Sequence, residues 1–223
     1  MRYKISAAQR VYLDLRQKIV GMAILPGSRI VEQDIASEHS ISRTPVHEAV
    51  QKLAEEGLIE VRPRFGTFVS KIPLGGLEEA MFMREALECA VVERVCEIIT
   101  PEGIETIEGI LKEQEAFVIN HNQKGFHKTD EEFHAALASI AGYPGIWRII
   151  LNAKMQVDRF RQLTLNVPGH MEIVLVEHKK ILSAIIEKNA ASASAAMREH
   201  MMHLRPGISL AVEQYPDYFS GTL

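Results

Sequence analysis

The apolar positions of the first 70 residues recur first with the period of helices and then with the alternation of strands. The elements that this pattern predicts are helices at about residues 11–22, 32–38 and 42–56 and strands at 58–61 and 67–70. The third helix is marked by Ser42 or Thr44 as a cap and by Gly57 as its end. Three short helices followed by a hairpin describe a winged helix-turn-helix.

Beyond residue 76 the apolar pattern is helical throughout. The predicted helices are at about residues 77–99, 100–120, 126–141, 146–163, 171–188 and 189–204, with a turn at Val167-Pro168-Gly169. Short connections between six helices predict an antiparallel bundle. Pro206-Gly207 breaks or kinks the last helix and leaves the path after residue 205 open. The predicted fold is mainly α, a three-helix winged helix-turn-helix joined to a six- to seven-helix antiparallel bundle.

The charge changes sign where the pattern changes. Residues 1–73 carry 11 Lys and Arg against 8 Asp and Glu, a net charge of +3, whereas residues 74–223 carry 14 against 21, a net charge of −7. Pro73, Gly75 and Gly76 lie between the two patterned regions and predict a linker. The predicted domains are therefore a DNA-binding domain at 1–72, a linker at 73–76 and a helical domain at 77–223.

Composition narrows the class of protein. With 47% hydrophobic and 24% charged residues, the chain has enough apolar material for folded domains. No apolar run approaches the roughly 18–20 residues that span a bilayer, and the first twenty residues lack a secretory core segment. Cys89 and Cys96 are seven positions apart in one predicted helix, which is too far for a disulfide. These features predict a cytoplasmic protein with no membrane partner.

A winged helix-turn-helix binds DNA because one helix fits the major groove and its first residues meet base edges. Arg43 can donate two parallel hydrogen bonds to guanine, and the cationic hairpin loop suits a minor groove or the phosphate backbone. The candidate DNA-binding residues are Ser42, Arg43, Thr44 and His47 on the third helix and Arg62, Arg64 and Gly66 in the loop. The alternative is a charged surface helix beside a solvated hairpin.

Histidines cluster in the helical domain. Asp130 and His134 are four residues apart on one helix, and His178 and His200 lie on two others. Three imidazoles and one carboxylate suit Zn²⁺ or a similar transition metal such as Ni²⁺. His127, Glu131 and His203 lie one turn from these residues and are rival ligands, and each histidine can instead belong to the surface or the core.

The DNA-binding region resembles a known family. The stretch PGSRIVEQDIASEHSISRTPVHEAVQKLAEEGLIEVRPRFGTFV is similar to the DNA-binding domain of GntR-type bacterial transcription regulators, over nearly all of residues 8–70. The family usually has arginine after its Thr-Pro-Val motif, where this chain has His47. A neutral histidine offers one donor and one acceptor instead of a fork of donors, so the base preference at that position is open.

The helical domain resembles the effector domain of the FadR branch of that family, over roughly residues 77–205. The matching runs are MREALECAVVE, DEEFHAAL, EHKKILSAI and AMREHMMHL. Some members of that branch bind a metal ion through one aspartate and three histidines. The resemblance implies that the corresponding ligands in this chain are Asp130, His134, His178 and His200. It also implies that Arg84 lies on the helix that faces the effector. Arg159 and Arg161 are weaker candidates for effector binding.

The expected function is a DNA-binding transcription regulator, with repression as the favoured output. An effector carboxylate would complete the metal's coordination, and an arginine would hold its other end. A homodimer on a palindromic operator is expected because one winged helix-turn-helix domain contacts too few phosphates for specific binding. The alternatives are a metal-independent regulator that responds to a fatty acyl chain and a metal-dependent enzyme. The enzyme is disfavoured because the sequence has no nucleophile motif or separate general base.

Overall fold

A computed structural model describes residues 5–164 and 169–222. The described residues form two compact units. The first comprises the residues up to Gly76, Asp158–Gln162 and the residues from Ser209 onward, and the second comprises Leu77–Val157 and the residues from Leu163 to Ile208. The predicted turn at Val167-Pro168 lies outside the described residues.

The N-terminal part of the first unit has the helices and hairpin that the apolar pattern predicts. Its elements are α1 (Ala7–Val20), β1 (Arg29–Ile30), α2 (Glu32–Glu38), α3 (Arg43–Glu55), β2 (Ile59–Arg62), β3 (Gly66–Val69) and β4 (Ile72–Pro73). The strands β1, β3 and β2 form an antiparallel sheet in that order. The winged helix-turn-helix predicted from the sequence is confirmed.

The core of this part lies between α1 and α3. The side chains that fill it are at most 2% exposed: Val11, Leu15, Ile19, Val46, Ala49, Val50 and Leu53. The Tyr12 hydroxyl donates to Glu56 Oε1 at 2.5 Å, which ties α1 to the end of α3. Ser42 occupies the N-cap position of α3, but its side chain forms no capping hydrogen bond. The apolar face of α3 therefore holds α3 in place and leaves its opposite face to solvent.

The region predicted as a linker is ordered. Ile72 pairs in parallel register with Phe219 of β5 (Phe219–Ser220), and α4 (Leu74–Ile98) begins directly after Pro73. Both Ile72 and Phe219 are buried. The C-terminal residues are consequently grouped with the first unit, which differs from the predicted domain 77–223 because this pairing joins residues far apart in sequence.

The rest of the chain is helical, as predicted. After α4 come α5 (Pro101–Ile119), α6 (Gln123–Ile140), α7 (Pro144–Ala153), α8 (Met155–Thr164), α9 (His170–Ile186), α10 (Ala190–Met202) and α11 (Pro206–Gln214). The predicted helix 146–163 is divided at Lys154 into α7 and α8. The Lys154 N–H still donates to the Ile150 carbonyl oxygen as in a continuous helix. Because the apolar spacing therefore continues from α7 into α8, the sequence pattern does not reveal the break between them.

The core of the second unit is built from α4, α5, α6, α9 and α10. Its fully buried side chains include Val92, Val95, Ile107, Phe133, Ile185 and Met197. Cys89 and Cys96 are buried in the same core as unpaired thiols, as predicted, and burial raises the pKa of both. Within the described residues, no helix combines the length and apolar character needed to cross a bilayer.

Candidate metal centre and DNA-binding surface

Four side chains of the second unit converge on one point of its interior. Asp130 and His134 lie one turn apart on α6, while His178 comes from α9 and His200 from α10. One ligand atom from each side chain lies within 4.8 Å of all the others, and all four side chains are buried. The packing therefore brings together the complete set of predicted ligands.

The three imidazoles face one another through the same ring nitrogen. His178 Nε2 lies 3.3 Å from His200 Nε2, and His200 Nε2 lies 3.4 Å from His134 Nε2. Asp130 Oδ1 is 3.7 Å from His178 Nε2. Ligands bound to one Zn²⁺ at about 2.0–2.2 Å lie roughly 3–4 Å from one another, so these separations fit a shared cation.

Each imidazole has an acceptor behind it. His134 Nδ1 is paired with Glu88, His178 Nδ1 lies 2.9 Å from Gln114 Oε1, and His200 Nδ1 lies 2.8 Å from Glu177 Oε2. Acceptors on Nδ1 hold the proton there, and each neutral ring then turns an unprotonated Nε2 inward. Three lone pairs and a carboxylate aimed at one another repel unless a cation lies among them. The three imidazoles, the Asp130 carboxylate and the acceptors that orient the imidazoles thus fit a transition metal.

Two of the acceptors behind the imidazoles, Glu88 and Glu177, are carboxyl groups whose pKa values are shifted. The buried carboxyl of Glu88 would have its pKa raised by desolvation, but Arg84 and His134 lower that pKa more strongly, to about 2. Arg84 Nε donates to Glu88 Oε1 at 2.8 Å. At Glu177, burial outweighs the neighbouring histidines and raises the pKa. Glu88 is therefore held as an anion, which favours a proton on His134 Nδ1.

Aromatic rings lie against two of the imidazoles. The Phe133 ring stacks on His178 with centroids 4.0 Å apart and an interplanar angle of 16°. Trp147 lies parallel to His134 at 6.1 Å. These rings restrict rotation of the imidazoles and surround them with apolar surface, which strengthens electrostatic interactions within the site.

The rival ligands lie outside this cluster. Glu131 is bound to Lys154 Nζ at 2.7 Å, and His203 Nδ1 is 3.2 Å from Glu177 Oε1. Of the arginines predicted to bind an effector, Arg84 binds Glu88, the carboxylate that is paired with His134. Arg159 and Arg161 fall in the segment grouped with the first unit, and their effector role stays a prediction.

Arg159 has an interaction that the sequence did not suggest. Its Nη2 donates to the Ser70 carbonyl oxygen at 2.6 Å, and its side chain is fully buried. Burial lowers the pKa of this guanidinium to about 10. Arg159 thus holds the backbone immediately after β3.

Three functional candidates of the centre were not found from the sequence. They are Glu88 on α4, Gln114 on α5 and Glu177 on α9, which lie behind the three histidines. Glu177 directly precedes His178 in the chain, and this adjacency to a predicted metal ligand was the only feature of the sequence that could have indicated its role. Nothing in the spacing of Glu88 or Gln114 distinguishes them from other polar residues on their helices.

On the first unit, the predicted DNA-binding residues of α3 are exposed at its N-terminal end. Ser42 and Thr44 face solvent, and the side chains of Arg43 and His47 are 65% and 58% exposed. Glu32 on α2 contacts both of the latter, at 3.0 Å from Arg43 Nη2 and 2.8 Å from His47 Nδ1. This shared carboxylate is a further feature that the sequence analysis missed.

The hairpin between β2 and β3 has a three-residue tip. Arg62 pairs with Gly66 across the tip, and Arg64 adopts a left-handed φ of 70°. Arg62 is bound to Glu60 at 3.0 Å and lies over the Phe68 ring. Phe65, which the sequence analysis did not single out, is 76% exposed at the tip. The wing therefore presents cations and one aromatic ring to solvent.

Sequence profiles of two known families match this chain. The profile described as bacterial regulatory proteins, gntR family, matches residues 7–69, and the FCD domain profile matches residues 79–203. The chain is 32% identical to the HTH-type transcriptional repressor RspR of Escherichia coli (strain K12), covering 95% of this chain and 93% of the relative. It is 30% identical to the gluconate operon transcriptional repressor of Bacillus subtilis (strain 168), covering 84% and 79%.

Solved structures show the same fold. McbR/YncC of E. coli has a TM-score of 0.75 at 20% identity, covering 95% of this chain and all of the other. A GntR-type regulator from Rhodococcus sp. RHA1 has a TM-score of 0.73 at 24% identity, covering 92% and 98%. The matched families are transcription regulators and not enzymes. The chain therefore belongs to the GntR family of bacterial DNA-binding transcription regulators and carries an FCD domain after its winged helix-turn-helix.

Proposed function

We propose that this regulator represses transcription as a homodimer on a palindromic operator, and that a small carboxylate bound in the FCD domain relieves repression. The observation that carries the effector part is the buried convergence of Asp130, His134, His178 and His200. Repression is supported by two relatives that are named as repressors. A regulator of this kind acts where the bacterial chromosome lies, in the cytoplasm.

The operator symmetry follows from the small DNA-contacting surface of one winged helix-turn-helix domain. A single recognition helix and wing reach few base pairs and phosphates, and a dimer doubles the contacts. Two-fold symmetry of the dimer then selects a palindrome. Within each such domain we assign base contacts to Arg43 and His47, and phosphate or sugar contacts to Ser42, Thr44, Arg62, Arg64 and Gly66.

The second unit would hold a transition metal, with Zn²⁺ favoured and Ni²⁺ as the alternative, through its three imidazoles and one carboxylate. When bound, the cation supplies positive charge and open coordination positions that accept a carboxylate. The chain's own contribution is to orient the imidazoles through Glu88, Gln114 and Glu177. The same convergence argues against a metal-independent site for a fatty acyl chain, since an apolar chain offers no favourable interaction to the imidazole nitrogens and the carboxylate that face one another there.

Arg84 is the best-placed residue to bind the effector's second polar group. It is 5% exposed and lies one turn from Glu88 on α4. Only its Nε binds Glu88, and its two Nη atoms form no hydrogen bond with the part of the chain that the structure describes. A guanidinium fixed at one nitrogen retains donors for a carboxylate, in a fixed orientation.

Relief of repression requires only that the effector binds one conformation of the FCD domain more tightly than another. Binding then shifts the population, and the shift in DNA affinity is at most the difference in effector affinity between the two conformations. A tenfold change in operator affinity needs about 1.4 kcal/mol of this difference.

The proposal is tested on duplexes selected by the protein from a random-sequence DNA pool. We expect the wild type to bind the selected duplex more weakly in the presence of one or more members of a panel of small carboxylates. His178→Ala should bind the same duplex but lose this response, whereas His203→Ala, one turn from His200, should keep it. Retention of the response in His178→Ala with its metal absent by elemental analysis would overturn the effector mechanism.

The DNA assignment has its own test. Arg43→Ala should lose about 1–3 kcal/mol of affinity for the selected duplex, which is the usual discrimination of one bidentate base contact. Its affinity for unselected duplexes should change little by comparison, as measured by fluorescence anisotropy at fixed salt. Equal affinities of wild type and Arg43→Ala for the selected duplex would remove Arg43 from the base-reading surface.

A further inference from the structure

Glu32 occupies a singular position beside the recognition helix. It is the first residue of α2, and its two carboxylate oxygens contact different residues of α3: Oε2 accepts from Arg43 Nη2 at 3.0 Å, and Oε1 lies 2.8 Å from His47 Nδ1. The Glu32 side chain is only 16% exposed, whereas both partners are largely exposed. One largely buried carboxylate thus contacts two exposed side chains at once.

The two partners point the same way because they are four residues apart on α3. An exposed arginine samples many rotamers, and immobilising such a side chain on binding costs conformational entropy. A contact that already restricts Arg43 before DNA arrives reduces that cost. Desolvation would raise the pKa of Glu32, but the hydrogen bonds from His47 and Arg43 lower it overall, so Glu32 is an anion at neutral pH.

The contact also determines which atom the neutral ring of His47 offers to DNA. With Nδ1–H donating to Glu32, the neutral imidazole has its lone pair on Nε2, on the far side of the ring. An acceptor in the major groove matches the amino groups of adenine N6 or cytosine N4 and mismatches the acceptor atoms of guanine. His47 held in this tautomer is therefore a reader of A or C.

Glu32 further changes the electrostatics of the surface. Its charge offsets that of Arg43, and binding of non-specific DNA depends chiefly on uncompensated positive charge. Such an offset penalises every DNA that does not form the hydrogen bonds of the selected site, which is a standard route to specificity.

We propose that Glu32 is a positioning residue for DNA recognition: it orients Arg43 and His47 towards the base edges and suppresses binding to non-cognate DNA. The inference rests on the proposed base-reading roles of those two residues. Glu32 itself touches no base.

The test compares Glu32→Gln with Asp34→Asn. Both remove one negative charge from the first turn of α2, but Asp34 is exposed and its side chain forms no hydrogen bond or ion pair with the described residues. Each variant is titrated with the duplex selected by the wild type and with a random-sequence duplex pool, at several salt concentrations. The ratio of the two affinities is the readout, and circular dichroism melting confirms that each variant is folded.

In Glu32→Gln, we expect the ratio of selected to random affinity to fall about tenfold, which is the loss of roughly one base contact. Binding to the random pool should tighten, and its salt dependence should steepen by about one phosphate. A new selection with this variant should lose the A or C preference at one position per half-site. Asp34→Asn should keep the wild-type ratio within about twofold.

Equal ratios in wild type, Glu32→Gln and Asp34→Asn would overturn the proposal and leave Glu32 as a surface charge only. A second comparison covers a structural effect of the substitution. In a protein that already carries Arg43→Ala and His47→Ala, adding Glu32→Gln should lower the ratio no further, and a further tenfold loss would also overturn the proposal. If Arg43→Ala with His47→Ala retains the wild-type ratio, the base-reading assignment itself fails, independently of Glu32.

Discussion

Removal of a bound metal should lower the thermal stability of this protein, by an amount set by the metal concentration relative to its dissociation constant. Three ring nitrogens and a carboxylate oxygen face one another in the buried centre of the FCD domain. A cation that binds only the folded state stabilises it by about 2.7 kcal/mol when present at a hundred times its dissociation constant. For a chain of 223 residues, this corresponds to a rise in melting temperature of roughly 5–11 °C.

His178→Ala isolates the contribution of one ligand. His178 is fully buried and stacks on Phe133, so its replacement lowers the melting temperature even without metal. The measured quantity is therefore the difference between the melting temperatures with Zn²⁺ and with EDTA, determined for each variant by differential scanning fluorimetry. We expect this difference to fall below about 2 °C in His178→Ala, because three remaining ligands bind the ion more weakly.

His203→Ala serves as the control, since His203 lies one turn from His200 but outside the ligand cluster. Its metal-dependent increment should equal that of the wild type. Equal increments in the wild type and His178→Ala would show that the four side chains do not bind the ion together. Absence of any increment in the wild type, for Zn²⁺ and Ni²⁺ alike, would refute the metal centre altogether.

Two further predictions concern the packing of each unit. Burial, with the hydrogen bond to Glu56, raises the pKa of Tyr12 to about 12, so this contact stabilises the winged helix-turn-helix domain fully below pH 10 and is lost as the pH rises towards 12. Tyr12→Phe should lose about 1–2 kcal/mol in urea unfolding at pH 7, and the difference from the wild type should shrink above pH 10. Gly125→Ala should destabilise the FCD domain by about 1–3 kcal/mol, because its Cβ would lie 2.5 Å from the Phe117 ring. Gly109→Ala, where nothing lies within 4 Å of the new Cβ, should instead be neutral or stabilising in the same unfolding assay.

The winged helix-turn-helix and the helical character of the FCD domain were determined locally. In α3 the apolar positions recur every three or four residues, and that spacing alone decides which face is buried. The proximity of Asp130 and His134 has the same origin, since residues four apart on one helix are neighbours. The DNA-binding motif and the closeness of Asp130 and His134 could for this reason be predicted from residue spacing alone, whereas His178 and His200 were assigned as ligands through the resemblance to metal-binding members of the FadR branch.

The remainder of the centre depended on tertiary packing. His178 and His200 reach His134 only because α9 and α10 pack beside α6, and Gln114 meets His178 from a position 64 residues away. The contact of Glu32 with Arg43 and His47, the division of the helix at Lys154 and the pairing of β5 with β4 were likewise not visible in the sequence. Periodicity indicates which face of an element is buried, but it carries no information about which distant element covers that face. The contacts of Glu88, Gln114 and Glu177 with the histidines depend on how distant elements pack, so periodicity could not predict them.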